Sequence, residues 1–224
     1  MTFSVVARCA ETGQLGIAIS SSSIAVGARC PWLRPGVGAV ASQNITLPSL
    51  GPQVLDLLEQ GLAPSEALAT VIAQDHSQYR QVTVIDSQGR TAHFSGAQTL
   101  GIHNAVSGEQ CVAAGNMLAN PGVITAMVAA FETASGHLAD RLLAAMHAGV
   151  AGGGEAGPVH SAALVIVDDL LWPVVNLRVD WADADPISTL DHLWQAYRGQ
   201  LQDYIDRAIN PQIAPGYAVP GDDR

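Results

Sequence analysis

Directly behind the initiator methionine stands Thr2, and the chain runs at once into Phe3-Ser4-Val5-Val6-Ala7. If Met1 is removed, one residue carries a free α-amine and a β-hydroxyl, a nucleophile with a general base already attached. An α-amine titrates near pH 7.7–8.0, so part of it accepts a proton near neutrality. Methionine removal favours a small second residue such as Thr. Many unrelated chains also begin Met-Thr, so the rest of the sequence must bear the idea out.

Other residues that could do chemistry are few. Ser20-Ser21-Ser22-Ser23 ends an apolar run and reads either as a solvated loop or as hydroxyls lining a site. The three cysteines, Cys9, Cys30 and Cys111, are far apart; they read as reduced, buried thiols and not as zinc ligands. His93, His103 and His160 have no ligand spacing among them, so no metal is expected.

Composition closes several routes. Ten arginines and no lysine exclude a Schiff-base lysine, a pyridoxal phosphate anchor and a P-loop lysine. No organic cofactor is expected. A formal net charge of −10 argues against nucleic acid, which needs clustered cations. No apolar run reaches membrane-spanning length, and the start lacks a signal-peptide pattern. A cytoplasmic protein without a membrane partner is the expectation. With 224 residues, 48% apolar and 13% charged, the chain can bury a sizeable core. The reading is one domain over 1–209 and a Pro-rich tail or arm over 210–224.

The elements that must position Thr2 follow in blocks. Phe3–Arg8 and Leu15–Ser20 read as a hairpin around Glu11-Thr12-Gly13, and Val37–Ser42 as a strand delivering Gln43 and Asn44. Helices are expected from Gly51 to Gly61 and from Pro64 through Ile72. Gln81–Asp86 and Arg90–Ser95 form a second hairpin, and Gln110–Ala114 a further strand. Helices over Val123–Ala134 and Leu138–Ala148 come next, then a Gly152-Gly153-Gly154 linker or lid. Strands Ser161–Asp168 and Trp172–Asp180 and one helix from Pro186 to Ile209 close the pattern. Hairpins alternating with helix blocks predict an α+β fold with helices layered on antiparallel sheets.

Met-Thr-Phe-Ser-Val-Val-Ala at 1–7, Glu11-Thr12-Gly13 with Leu15-Gly16, Ala25-Val26-Gly27 and Gly36-Val37-Gly38-Ala39-Val40 resemble a bacterial and archaeal family, domain of unknown function 1028. Leu50-Gly51-Pro52, Gly61-Leu62 with Pro64 and Glu66-Ala67-Leu68, Gly115-Asn116-Met117-Leu118 and Ser161-Ala162-Ala163-Leu164 extend the resemblance over most of residues 1–200. That family is grouped with the N-terminal-nucleophile (Ntn) hydrolases. The resemblance implies a four-layer αββα sandwich of two antiparallel sheets between helices. It also implies that Thr2 attacks an amide carbonyl with its own amine as base. In lysine-bearing relatives a third-strand Lys tunes that amine; here, with no Lys, the role is vacant or filled by another group. Gln43 or Asn44 would donate to the developing oxyanion, a contribution of roughly 10²–10³ in rate where tested. Ser21 and Ser22 would bond the amine or substrate, and Asn116, Ser161 and Arg29 would bind substrate. The expected activity is hydrolysis of a small-molecule C–N amide bond, linear or cyclic, by a homo-oligomer. The alternatives are an inactive binding or scaffold protein on the same fold, or a hydrolase using a serine of the 20–23 run or Cys30.

Overall fold

The computed structural model describes residues 2–74 and 76–222. Met1, whose removal would expose the Thr2 amine, lies outside the described residues.

Two antiparallel sheets form the middle. The six-stranded sheet has the order β10-β9-β2-β1-β8-β7. Its members are β1 (Thr2–Arg8), β2 (Leu15–Ser21), β7 (Asn104–Gly108), β8 (Cys111–Asn116), β9 (Ser161–Val167) and β10 (Val175–Val179). The four-stranded sheet runs β3 (Pro31–Arg34), β4 (Gly38–Asn44), β5 (Arg80–Asp86) and β6 (Thr91–Ser95) in that order.

Side-chain alternation sorts each strand between two interiors. On β1, Phe3, Val5 and Ala7 join one cluster with α3 (Gly122–Thr133), α4 (Leu138–Ala151) and α5 (Pro186–Arg198). Val6 of the same strand joins Ile17, Ile19, Ala39, Ala41, Ile85 and Val112, all from the two sheets, in a second cluster. Val40, Val82 and Val84 face away from that space, onto α1 (Leu50–Glu59) and α2 (Pro64–Ile72). The layers are therefore helices, sheet, sheet, helices: the αββα sandwich. Burial on both faces explains why β1, β2 and β9 are almost wholly buried.

Some local expectations differ. β3, not among the strands expected above, forms because Pro31–Arg34 lies on an edge, where a proline lacking an N–H is tolerated. β7 pairs with β8 although Asn104–Gly108 carries little apolar signal; it too is an edge. The last helix is two. α5 ends before Gly199, and α6 (Leu201–Ile209) restarts after Gly199 and Gln200, a break at which both residues stay in the right-handed region, φ −71° and −112°. Beyond it the tail folds back. The Arg207 guanidinium donates to the carbonyls of Pro215 and Gly216 at 2.8 and 2.9 Å and lies 4.1 Å over the Tyr217 ring.

Among the described residues no helix is long and apolar enough to cross a membrane.

Candidate functional site

Thr2 opens β1, which lies between β2 and β8. Its register partners are Ser21 on β2 and Asn116 on β8. Ser21 in turn pairs with Ser161 on β9. Directly opposed residues share a face of the sheet, so Asn116, Thr2, Ser21 and Ser161 form one row across four strands. All four are buried, Thr2 at 5% exposure. The Thr2 Oγ1 and Ser21 Oγ atoms are 3.2 Å apart, a hydrogen bond in which either hydroxyl can donate.

The row faces the space between the sheets. Toward the far end of β1 that space is apolar, the Val6–Ile17–Ala41–Ile85 cluster. At the Thr2 end it turns polar. Ser4, two residues along the same face, donates to Gln43 Oε1 at 2.7 Å. Gln43 Nε2 donates to Gln81 Oε1 at 2.8 Å and to the Ala114 carbonyl at 3.2 Å. Asn116 Nδ2 also donates to Gln81 Oε1, at 3.1 Å, and Gln81 Nε2 donates to the Gly115 carbonyl at 3.0 Å. Gln81 thus ties both sheets beneath the row. Among the described residues, Asn116 Oδ1 is buried with no donor.

The expected site residues separate into groups. Thr2, Ser21, Asn116 and Ser161 come together in the row, and Ser22 follows immediately. Ser161 Oγ is already engaged: it donates to the Ser23 carbonyl at 2.6 Å and accepts from Val26 N–H at 3.2 Å. Gln43 lies one step inward, with both amide hydrogens committed. Asn44 points elsewhere, donating to the Tyr79 carbonyl and accepting from Leu100 N–H, with its backbone at φ 71°. Arg29 turns back on its own loop, donating to the Ile24 and Ala25 carbonyls.

One residue the sequence did not suggest is Glu155. α4 ends at Ala151 with Gly152 as its cap, and Gly153 and Gly154 follow in left-handed geometry at φ 116° and 60°. That turn places Glu155 opposite Leu118 in an isolated antiparallel bridge, framed by Ala119 N–H to the Gly154 carbonyl and Ala156 N–H to the Met117 carbonyl. Glu155 is 7% exposed, and neither carboxylate oxygen has a hydrogen-bond partner among the described residues. Burial pushes its carboxyl up to about 8, against the lowering influence of the amino terminus and of Ser22. Ser22 stands near enough to favour the anion without reaching bonding geometry. A signal was present in the sequence: Glu155 is the one Asp, Glu, Lys or Arg between Arg141 and Asp168.

The cysteines are placed as buried, free thiols. Burial raises the Cys30 thiol above its ordinary range, and burial with the nearby Glu132 charge lifts Cys111 to about 12. A protonated, covered thiol is a poor nucleophile. At pH 7.5, Cys30 and Cys111 are expected to stay unlabelled by a thiol-exchange reagent until the protein is denatured. Rapid labelling of Cys30 in the folded state would return it to consideration as a nucleophile. No group of three or more His, Cys, Asp or Glu residues that could hold a metal occurs among the described residues.

Two surface hollows, of about 200 and 380 Å³, share Ala10 and Arg141 in their linings. They lie at the Arg8 end of β1, roughly 20 Å from Thr2 at strand rise.

The profile of a family described as of unknown function, DUF1028, matches residues 2–190. The chain belongs to the DUF1028 family. A crystal structure from that family, protein SPO2555 from Silicibacter pomeroyi, is 33% identical with a TM-score of 0.85. The match covers 91% of this chain and 89% of that one. Further likenesses are to Anbu (ancestral beta-subunit) from Yersinia bercovieri, at 12% identity, TM-score 0.39 and coverage of 91% and 96%. The Gly-1 mutant of Anbu from Hyphomicrobium sp. strain MC1 gives 14% identity, TM-score 0.43 and coverage of 89% and 96%. At those scores the Anbu likenesses say nothing about the chemistry of this DUF1028 chain. No curated protein matches it.

Proposed function

We propose that this DUF1028 protein hydrolyses a C–N amide bond of a small molecule, linear or cyclic, with Thr2 as an N-terminal nucleophile. The observation that carries the reading is the placement of Thr2. Its hydroxyl is buried at the head of a central strand, 3.2 Å from Ser21 and beside the unpaired Asn116 Oδ1.

The chemistry runs in two halves. The Thr2 α-amine takes the Thr2 hydroxyl proton as Oγ1 attacks the carbonyl carbon, and the carbonyl π pair moves to oxygen. The amide C–N bond then breaks, and the leaving nitrogen takes the proton from the amine. Water hydrolyses the resulting ester by the same route and restores the hydroxyl. Ser21 fixes the nucleophile's rotamer. Asn116 Oδ1 accepts an N–H of the substrate, which relieves the cost of an unpaired buried acceptor. Gln43 acts through Ser4 and Gln81, holding the sheet spacing. Asn44 and Arg29 lie at the edge of this arrangement and would meet only a larger substrate. The acidic surface favours a neutral or amine-bearing substrate. A homo-oligomer is part of the same proposal, supported by exposed Ile209, Ile213 and Val219 on the last helix and tail.

The test is intact mass and N-terminal sequencing of natively produced protein, with and without a β-lactone, which acylates nucleophilic hydroxyls. A chain beginning at Thr2 with the adduct on that residue is expected. A chain beginning at Met1 with no adduct on Thr2 would overturn the mechanism.

A further inference from the structure

We infer that the larger hollow at the Arg8 end of β1 binds a small zwitterion, a molecule with one carboxylate and one ammonium, such as an amino acid. The inference stands apart from the Thr2 reading, at the opposite end of the same strand.

Two turns build the hollow of about 380 Å³. One follows β1: Cys9 N–H donates to the Gln14 carbonyl and Gly13 N–H to the Cys9 carbonyl, leaving Ala10, Glu11 and Thr12 exposed between them. The other joins α3 to α4, where Gly136 takes φ 97°. The volume lies at the low end of the roughly 300–1,000 Å³ usual for small-molecule sites, so the ligand is small.

Arg141 supplies the positive wall. Its guanidinium lies 4.1 Å over the ring of buried Phe131, which fixes its plane. A guanidinium has five N–H donors. Among the described residues one of them is used, Nη2 to the Phe131 carbonyl at a long 3.4 Å, and Nε is buried with no acceptor. A cation held in place with so few acceptors is costly, and its planar fork matches a carboxylate. The acids around it are mostly committed. Asp140 accepts from Trp194 Nε1 and Arg198, and Glu132 accepts from Glu109 N–H.

Glu11 is the exception. It lines the same hollow, and its carboxylate has no hydrogen bond or ion pair among the described residues. Two opposite charges therefore face one hollow without meeting each other. A phosphate dianion would meet Glu11 as well as Arg141, and a simple amine would meet Arg141 as well as Glu11. A zwitterion answers both, carboxylate to Arg141 and ammonium to Glu11.

Cys9 lines this hollow too, at 8% exposure. Burial raises its thiol, but the Thr12 hydroxyl, the Thr12 and Glu11 N–H groups and the Arg141 charge bring it below its ordinary range. It is a built-in reporter of occupancy.

The test is calorimetric titration of the full-length protein with glycine, L-alanine and β-alanine, set against acetate, methylamine and inorganic phosphate. At least one zwitterion is expected to saturate with a Kd of roughly 0.1–1 mM. The three singly functional ions should bind at least about 10-fold more weakly. Arg141→Gln is expected to weaken the zwitterion roughly 10-fold or more, and Glu11→Gln about 2- to 5-fold. Glu11 is exposed, so its variant decides the matter if Arg141→Gln does not fold. Thr2→Ala should bind as wild type does, which separates this site from the one at the other end of β1. At ten times its Kd the zwitterion should slow thiol-exchange labelling of Cys9 by about 10-fold. Three results would overturn the inference: no zwitterion saturating below about 20 mM, phosphate or acetate binding as tightly as the best zwitterion, or affinity unchanged in a folded Glu11→Gln protein.

Discussion

Thr2→Ala is expected to abolish the β-lactone adduct and to lower amide turnover by roughly 10³-fold or more, the scale seen when a nucleophile is removed from a preorganised site. The reason is local. Ala removes the atom that attacks while leaving strand pairing, methionine removal and the α-amine in place. Little stability should go with it. Ser21 Oγ, the partner of the lost hydroxyl, already accepts from Ser23 N–H at 3.1 Å, so a shift in unfolding free energy below about 1 kcal/mol is expected. Thr2→Ser separates chemistry from packing: the hydroxyl and amine remain, and activity should stay within about 100-fold of wild type. Equal activity of Thr2→Ala and wild type, both proved to start at residue 2, would send the nucleophile back to the serine run.

The second large effect is structural. Gln81→Leu should destabilise the protein by about 2–4 kcal/mol. Gln81 is fully buried, and its Oε1 receives two donors, Gln43 Nε2 and Asn116 Nδ2. Leucine has a similar volume and gains some apolar burial. Two amide N–H groups are nevertheless stranded between the sheets, each at about 1–3 kcal/mol, and that cost wins. For a chain of this size the melting point should fall by roughly 5–15 °C. Ser95→Ala supplies the contrast, since Ser95 is only a half-buried acceptor of Gln81 Nε2; its effect should be under about 1 kcal/mol. A Gln81→Leu protein as stable as wild type would mean the amide network adds nothing to the union of the two sheets.

Much of this architecture was legible in the chain, for identifiable reasons. The β1–β2 hairpin announces itself through short apolar runs around Glu11-Thr12-Gly13. The helix pairs do so through Pro64 at a first turn and glycines past their ends. Edge strands were harder. Asn104–Gly108 is held by pairing to β8 rather than by its own propensity, and Pro31 disguises β3. The site was half legible. Thr2 and the hydroxyls opposite it are neighbours of the chain start or lie in a serine run, and Asn116 ends a recognisable strand. Gln81 was read only as a strand residue, because polar residues alternating with Val82 and Val84 usually mark a solvent face. In a four-layer sandwich the other face is a second interior, and the same alternation encodes a buried amide network. Glu155 stayed hidden because the glycines before it read as linker, whereas two of them take left-handed geometry to aim it. No periodicity reports a residue delivered by a turn.

The pairing of β1 also sets a clock on how the protein is made. Its partner β2 is complete by residue 21, but β8 begins only at residue 111. At roughly 5–20 residues per second on the ribosome, β1 waits about 5–20 s for its second neighbour. During that interval the amino end is half-zipped and open to a methionine aminopeptidase. Once β8 docks, Thr2 is enclosed on both sides. If Thr2 is the nucleophile as proposed, methionine removal is expected to be completed during translation, before β8 docks.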